Sequence, residues 1–381
     1  MICIQQAHCY TPQDQGIQDV LIAGGQIVAM GRHLHYPDAK QIDGRGMILT
    51  PGLIDQHVHI TGGGGEGGFQ TRAPEIQLSA LIRAGITTVG GLLGTDGTTR
   101  SVENLIAKAK ALKAEGVSVV AMTGSYGYPS VTLTGDVKKD IVFIEEVIGV
   151  KLALSDHRCS HPTLQELIRL ASDVRVAGMI SGKAGILVLH MGDEPQGLDL
   201  VFEALDQTAL PVQLFHPTHV SRNPQLFEQA LQLLKRGGWI DLTCGDQPQE
   251  SCGANLDQAR RRQLDLSRIT ISSDGQGSWS DYDEQGNLRR IGISSVGALM
   301  KEWIRLVQDY HFSIPEALSF VTVNPARALQ LKRKGTIALG MDADVLLLDE
   351  KTWQLQTVIA AGRIMMENGR LQVRGTFEEA F

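Results

Sequence analysis

PGLIDQHVH, residues 51–59, sets two histidines two positions apart behind an apolar entry made by Leu53 and Ile54. Alternate side chains leave a β-strand on the same face, so His57 and His59 would project together. Two neutral imidazoles converging at the C-terminal end of a strand supply half of a metal site. The stretch runs on into Gly62-Gly63-Gly64-Gly65, a loop too flexible for a packed core. Taken alone, the pair reads equally well as two surface histidines at a strand end. The chain on either side decides between the readings.

C-terminal to this stretch a single unit repeats. Apolar, β-branched runs occur at 52–56, 86–92, 117–123, 148–154, 185–190, 211–215, 238–243 and 268–272. Segments of helical period lie between them, at 102–114, 164–171 and 225–236 among others. In the first, Val102, Leu105, Ile106, Ala109 and Leu112 fall on one stripe. Eight buried strands alternating with helices predict a parallel (β/α)₈, TIM-like barrel. Outside it, short strands are expected at 19–22, 26–30 and 47–49, with Gly24-Gly25 as a hairpin turn, and again at 343–349, 356–360 and 362–365. Neither set can bury a core alone. Together they predict a small β-sandwich built from both termini, residues 1–50 and 329–381, with the barrel, 51–328, inserted into it.

Composition narrows the function classes. The chain has 381 residues, 43% hydrophobic and 20% charged, and a formal net charge of -7. That charge leaves no footprint for nucleic acid or an anionic membrane. No apolar run approaches the roughly 18 residues of a membrane span, and MICIQQAHCY at the start lacks the basic and apolar regions of a signal peptide. Five cysteines at 3, 9, 159, 244 and 252 fit neither a disulfide framework nor a C-x-x-C site. Reduced thiols and a cytoplasmic location are expected.

Catalytic groups of such a barrel sit at the C-terminal strand ends. The first strand offers His57 and His59, the fourth Lys151, the fifth His190, the sixth His216 and His219, and the eighth Asp274. Lys151 lies within Val147-Ile148-Gly149-Val150-Lys151-Leu152-Ala153-Leu154, otherwise wholly apolar. A lysine there must pair, lose its proton or be modified, because an isolated buried ammonium is costly. It could snorkel to the barrel mouth. Alternatively the neutral amine could take up carbon dioxide, giving a carbamate whose two oxygens suit bridging two metals. Two divalent ions, the carbamate, Asp274 and a bridging hydroxide would leave one net positive charge, a field suited to an anionic substrate.

PGLIDQHVH, VIGVKLALSDHR, LHMGD, PTHVSRN and SSDGQGS together resemble the amidohydrolase superfamily. GGGGEGG, GLLGTD and SDHR make the chain similar to its isoaspartyl (β-aspartyl) dipeptidases. The resemblance runs from about residue 20 to the C-terminus. It implies two Zn²⁺ per subunit: His57, His59 and Asp274 on one, His190 and His219 on the other, bridged by carboxylated Lys151 and a hydroxide. His216 competes with His219, but only His219 sits in the family's P-T-H-V context. By the same resemblance Asp274 is the general base and then acid, and Tyr126 steadies the oxyanion, with Tyr128 left as a packed loop aromatic. Glu66 receives the substrate's ammonium, and Arg158 and Arg222 clamp carboxylate. Gly64, Gly65, Thr95 and Ser278 contact substrate, while His157 and Cys159 are packing. A small dipeptide as the partner, and a homo-oligomeric assembly, are implied as well. The same metals would also serve a cyclic amide hydrolase of dihydroorotase or hydantoinase type, against which Glu66 and the two arginines argue. A non-catalytic scaffold is the remaining reading, and it fits poorly with six retained ligands.

Overall fold

The computed structural model describes residues 1–283 and 285–378. The chain opens with five strands, β1 (Ile2–Tyr10), β2 (Asp14–Ala23), β3 (Gln26–Gly31), β4 (Lys40–Asp43) and β5 (Met47–Pro51). Gly24 and Gly25, at φ 58° and 80°, form the expected tight turn between β2 and β3.

Eight parallel strands follow: β6 (Leu53–Val58), β7 (Ile86–Gly91), β8 (Ser118–Gly124), β9 (Val147–Leu154), β10 (Ile186–Met191), β11 (Phe215–Thr218), β12 (Ile240–Thr243) and β13 (Ile269–Ser272). β6 to β11 form one six-stranded ladder in chain order, and β12 and β13 a second ladder of two. The sheet curls so that β13 returns to β6, where Gly275 bridges Val58 and accepts from His59 N–H at 2.8 Å. At the other seam β11 carries Pro217, which has no N–H to donate, and Val220 N–H reaches Asp241 O at 3.4 Å.

The crossover helices begin and end where the sequence chemistry dictates. Ser101 caps Val102–Glu115 by accepting from Asn104 N–H, and the five residues of the expected stripe are its buried ones. Thr163 and Glu166 make a reciprocal capping box for Leu164–Ser181, which runs ten residues beyond the expected 164–171. Asn223 caps Pro224–Lys235, with proline at the first helical position. Phe215 begins β11 where the strand 211–215 was expected to end, because residues 212–214 make a 3₁₀ turn after Pro211.

After β13 comes an antiparallel hairpin, β14 (Ser278–Tyr282) and β15 (Leu288–Ile293). Its composition gives no core-facing alternation, and the sequence reading passes over it. The chain closes with β16 (Val345–Asp349), β17 (Leu355–Ala360), β18 (Arg363–Glu367) and β19 (Arg370–Leu371). Both termini enter one nine-stranded sheet, ordered β19-β18-β17-β16-β5-β1-β2-β3 with β4 on β1. The join is antiparallel between β5 and β16, Leu49 opposite Leu347. Ile4, Val20, Ile22, Leu49, Val345, Leu347 and Ile359 bury a core drawn from both ends of the chain. β1, absent from the expected strands, lies in the middle of it.

Leu49 is fully buried at this join. Leu49→Ala is expected to destabilise the protein by about 2–5 kcal/mol through lost burial and an unfilled cavity, read as a lowered urea midpoint. An unchanged midpoint would show that the terminal sheet folds without this contact.

Candidate active site

The parallel strands bring all six expected ligand residues to one place. His57 lies within β6 and His59 one residue past it; Lys151 is in β9 and His190 in β10. His219 follows β11 by one residue, and Asp274 follows β13 by two. Lys151 Nζ is 3.0 Å from His57 Nε2. Asp274 Oδ1 lies 3.0 Å from His59 Nε2 and 3.5 Å from His57 Nε2. The His219 ring centroid is 5.0 Å from that of His57 and 4.6 Å from that of His190. His219 and Asp274 hold left-handed backbone at φ 61° and 52°, a conformation costly outside glycine and concentrated at functional sites. Gly94 makes room for this packing: a Cβ there would meet His59 Cε1 at 2.9 Å.

Burial sets the electrostatics. It lowers Lys151 to about 7, against the pull of Asp274 and Asp241, so the neutral amine is readily reached near neutral pH. Burial also lowers His57, His190 and His219 well below the usual imidazole range, with the neighbouring positive groups adding to it. Neutral imidazole is the ligating form. His219 Nδ1 is 2.6 Å from Thr243 Oγ1, which aims Nε2 inward, and that Nε2 is buried without a hydrogen-bond partner, as is His59 Nδ1. Ligand atoms of His57, His219 and Asp274 lie within 4.8 Å of one another. Nitrogen and carboxylate donors at this spacing fit a divalent metal ion.

Around the donors lies a cavity of about 460 Å³ lined by Gly64, Thr95, Tyr126, Arg158, Arg222 and Ser278, among others. Tyr126 Oη is 2.7 Å from His190 Nδ1, and burial raises its phenol, keeping it protonated. Glu66 and Gly65 face a smaller adjoining cavity of about 230 Å³, which Gly64 and Thr95 share. Glu66 Oε1 accepts from Ser278 Oγ at 2.8 Å and Thr95 Oγ1 at 3.3 Å, with Arg158 Nη1 at 3.5 Å. Its Oε2 is buried without a partner. Gly65 N–H is engaged by Thr71 O at 3.3 Å. Arg222 stands at the mouth, 3.6 Å from Asp193 and 30% exposed.

The profile of the Amidohydrolase family matches residues 48–365. The chain belongs to the amidohydrolase family. Two structures of a β-aspartyl dipeptidase from Fervidobacterium islandicum AW-1 are similar over nearly its whole length. One, in complex with a β-Asp-Leu dipeptide, is 44% identical, covers 97% of both chains and has a TM-score of 0.94. The other is 43% identical, covers 97% of this chain and 98% of that one, and has a TM-score of 0.89. A dihydroorotase from Lactobacillus johnsonii is 23% identical over 87% of this chain and 85% of its own. The amidohydrolase is a hydrolytic enzyme.

Several residues of this amidohydrolase depart from the sequence expectation. Asp156, two residues before Arg158 in SDHR, has no role among the sequence expectations. It is almost fully buried, takes three bonds from Arg158 (backbone N–H at 2.8 Å, Nε at 2.9 Å, Nη2 at 2.8 Å), and lies 2.9 Å from His190 Nε2. Burial alone would raise its pKa; Arg158 and His190 together hold it far below the carboxylate range. Arg158 is therefore already fixed on one edge. His157 is not packing: its exposed ring lines the cavity, 5.3 Å from the Tyr282 ring. Trp279, Ser280 and Tyr282 reach the cavity from the unforeseen hairpin. Beneath the donors, Asp55 and Asp241 are bonded to Gln56, Thr218, Thr270, Ser272 and Ser273. Tyr128 packs against the core as expected. The five cysteines carry free thiols.

His216 sits inside β11 rather than in a loop, buried, with Nε2 3.0 Å from Gln213 O and its ring stacked at 6.1 Å on Trp239. Burial lowers it to about 4. A depressed histidine pKa means that the unfolded chain takes up the proton first as pH falls. Stability is then undiminished above pH ~6.5 and lost progressively toward pH ~4. Between pH ~7.5 and pH ~5, His216→Gln is expected to lose about 2 kcal/mol less than the parent, measured by urea titration at each pH. Equal losses in both proteins would contradict this assignment.

Proposed function

We propose that this amidohydrolase cleaves the β-aspartyl (isoaspartyl) peptide bond of dipeptides, releasing aspartate and the second amino acid. The observation that carries the reading is Glu66, a buried carboxylate with one unpartnered oxygen, held beside Arg158 at the edge of the donor-lined cavity. A group so placed asks for a cation from the ligand, and the ammonium of a β-linked aspartate supplies one. The 44% identical relative whose structure holds β-Asp-Leu supports the same substrate class. We further read the two parallel ladders as one closed (β/α)₈ barrel over 51–328, and the terminal sheet, 1–50 with 329–381, as folded over its own core into a small sandwich.

His57, His59 and Asp274 would hold one divalent ion and His190 and His219 a second, with Lys151, carboxylated through its neutral amine, shared between them; zinc suits this donor set. Such a pair of ions lowers the pKa of a shared water and polarises the scissile carbonyl. Asp274, 17% exposed and facing the cavity, takes the attacking water's proton and passes it to the leaving amine. Tyr126 stays protonated and donates to the oxygen on which charge develops. Glu66 Oε2 pairs with the ammonium and Gly64 N–H takes the α-carboxylate, while the hydroxyls of Thr95 and Ser278, each with one proton to give, keep Glu66 Oε1 in place or turn from it to the α-carboxylate. Arg158, steadied by Asp156, and Arg222 hold the C-terminal carboxylate through guanidinium forks.

Two outcomes follow. Chelation should abolish activity, and Lys151→Ala should lose bound metal and turnover together, with short carboxylic acids restoring part of both. Full activity in a protein shown to be metal-free by elemental analysis would end the metal reading.

Substrate choice is the sharper test. α-Asp-Leu offers the same charged groups at different spacing, and a cyclic amide such as dihydroorotate offers no ammonium. Sites built around buried polar groups discriminate against ligands that leave them unpaired by about 10⁴ in kcat/KM. β-Asp-Leu should be hydrolysed with little or no turnover of α-Asp-Leu or dihydroorotate, and Glu66→Gln should lose at least ~10² in kcat/KM for β-Asp-Leu. Comparable rates on α- and β-linked dipeptides would refute the assignment and leave the metal centre standing.

A further inference from the structure

Arg100 is buried, 6% exposed, just before the N-cap of the helix Val102–Glu115. Among the described residues it makes no salt bridge; its two terminal nitrogens are spent on three backbone carbonyls, and Nε is buried without a hydrogen-bond partner. Nη1 donates to Thr61 O, and Nη2 donates to Gly63 O at 3.1 Å and Ala73 O at 2.7 Å. An arginine kept from water with no carboxylate in contact, Asp96 and Glu75 acting only at longer range, is costly, and its fork is usually spent on an anion. Here the fork grips the loop that carries Gly64 and Glu66.

The grip has a geometric consequence. In a planar trans peptide the C=O and the following N–H point in opposite directions. Gly63 O is turned toward Arg100 and also accepts from Ala73 N–H at 2.9 Å, so the Gly64 N–H is turned the other way. Gly64 lines both cavities at the site. The neighbouring peptide is fixed in the same manner: Thr61 O faces Arg100, and Gly62 N–H closes on His59 O at 2.7 Å. Gly64 itself has φ 79°, and a Cβ would strike Thr71 O at 2.4 Å, so neither backbone nor space tolerates a side chain there.

We propose that Arg100 is a positioning residue for substrate carboxylate: it presents the Gly64 amide to the α-carboxylate and places a fixed positive charge behind it. This rests on the β-aspartyl dipeptidase reading above. Arg100 does not touch substrate; it acts through the loop and through the field.

The test compares two substrates that differ only in that carboxylate. β-Asp-Leu carries it; β-Ala-Leu has the same amine and the same scissile amide without it. In Arg100→Met, kcat/KM for β-Asp-Leu should fall about 10- to 100-fold, the scale of a lost charged hydrogen bond, mainly through KM. The value for β-Ala-Leu, or its inhibition constant if turnover is too slow, should change less than about threefold. Arg100→Lys, which keeps the charge and can reach part of the carbonyl set, should recover part of the loss for β-Asp-Leu alone. Equal losses on both substrates, or a loss confined to kcat, would overturn the proposal while β-Asp-Leu turnover by the parent enzyme upholds the function. If neither variant accumulates as folded protein by circular dichroism, Arg100 is a folding element and the proposal falls. A parent enzyme inert toward β-Asp-Leu overturns the function and this inference together.

Discussion

The constraint on which the site depends is the burial of the Lys151 amine. Its Nζ faces His57 Nε2 at 3.0 Å inside a strand buried along its whole length. An ammonium there would lose several kcal/mol of hydration with no carboxylate in contact to offset it. Burial therefore brings the amine to about 7 and strips three neighbouring imidazoles of their affinity for protons. The same effect acts on the acids below. Burial raises Asp55 to about 7 and Asp241 to about 6, although both receive several hydrogen bonds. The amine and the imidazoles are thus held largely unprotonated, and free lone pairs are what divalent ions and carbon dioxide both require.

The groups around this interior are linked rather than independent. Asp156 joins a donor histidine to an arginine of the cavity wall, so the orientation of His190 and that of Arg158 are settled by one carboxylate. Second partners of this kind fix which imidazole nitrogen carries the proton. With Nε2 facing Asp156, His190 presents Nδ1 inward, where Tyr126 Oη lies at 2.7 Å. His219 is set by Thr243 in the opposite sense, with Nδ1 engaged and Nε2 free to point inward. The scaffold makes such placement possible because His190, Thr243, His219, Tyr126 and Asp156 all lie within two residues of the end of a parallel strand, whose ladder bonds hold the backbone there.

Much of this was legible in the sequence, and the part that was not has physical causes. Buried parallel strands are continuous apolar runs, so a lysine or histidine within them is conspicuous; Lys151 and His190 were visible for that reason. The helix stripe from Val102 to Leu112 was legible because its 3.6-residue period survives burial on one face only. Asp156 was not, because it sits past the strand in a polar run where an aspartate is unremarkable, and its importance comes from two partners, one of them 34 residues away. The hairpin of β14 and β15 exposes or half-exposes every described residue, so no buried apolar face marks it as a strand pair. β1 was missed because Gln5 and Gln6 interrupt its apolar pattern; Gln6 takes a positive φ at an irregularity, and its amide is held by Asp19 at 2.7 Å. Arg100 offered no signal at all, since a carbonyl-bound arginine is defined only by the loop folded over it.

The donor cluster and the fold do not by themselves select a substrate, as the dihydroorotase at 23% identity illustrates. Selection has to come from what surrounds the cluster. The glycine loop with Glu66, the segment with Asp156 and Arg158, and the late hairpin with Ser278 meet there from three distant parts of the chain. Glu66 Oε1 is satisfied by this protein's own hydroxyls and guanidinium, while Oε2 is not. An unpaired buried acceptor costs about 1–3 kcal/mol, and more when charged. A cyclic amide, which brings no cation, would leave that cost in place and shut the carboxylate further from water. A ligand bringing an ammonium removes it, and the gain counts toward specificity because it is unavailable to the competitor. On the proposed function, the unsatisfied oxygen is the feature that would separate a dipeptide hydrolase from a cyclic amide hydrolase on the same scaffold.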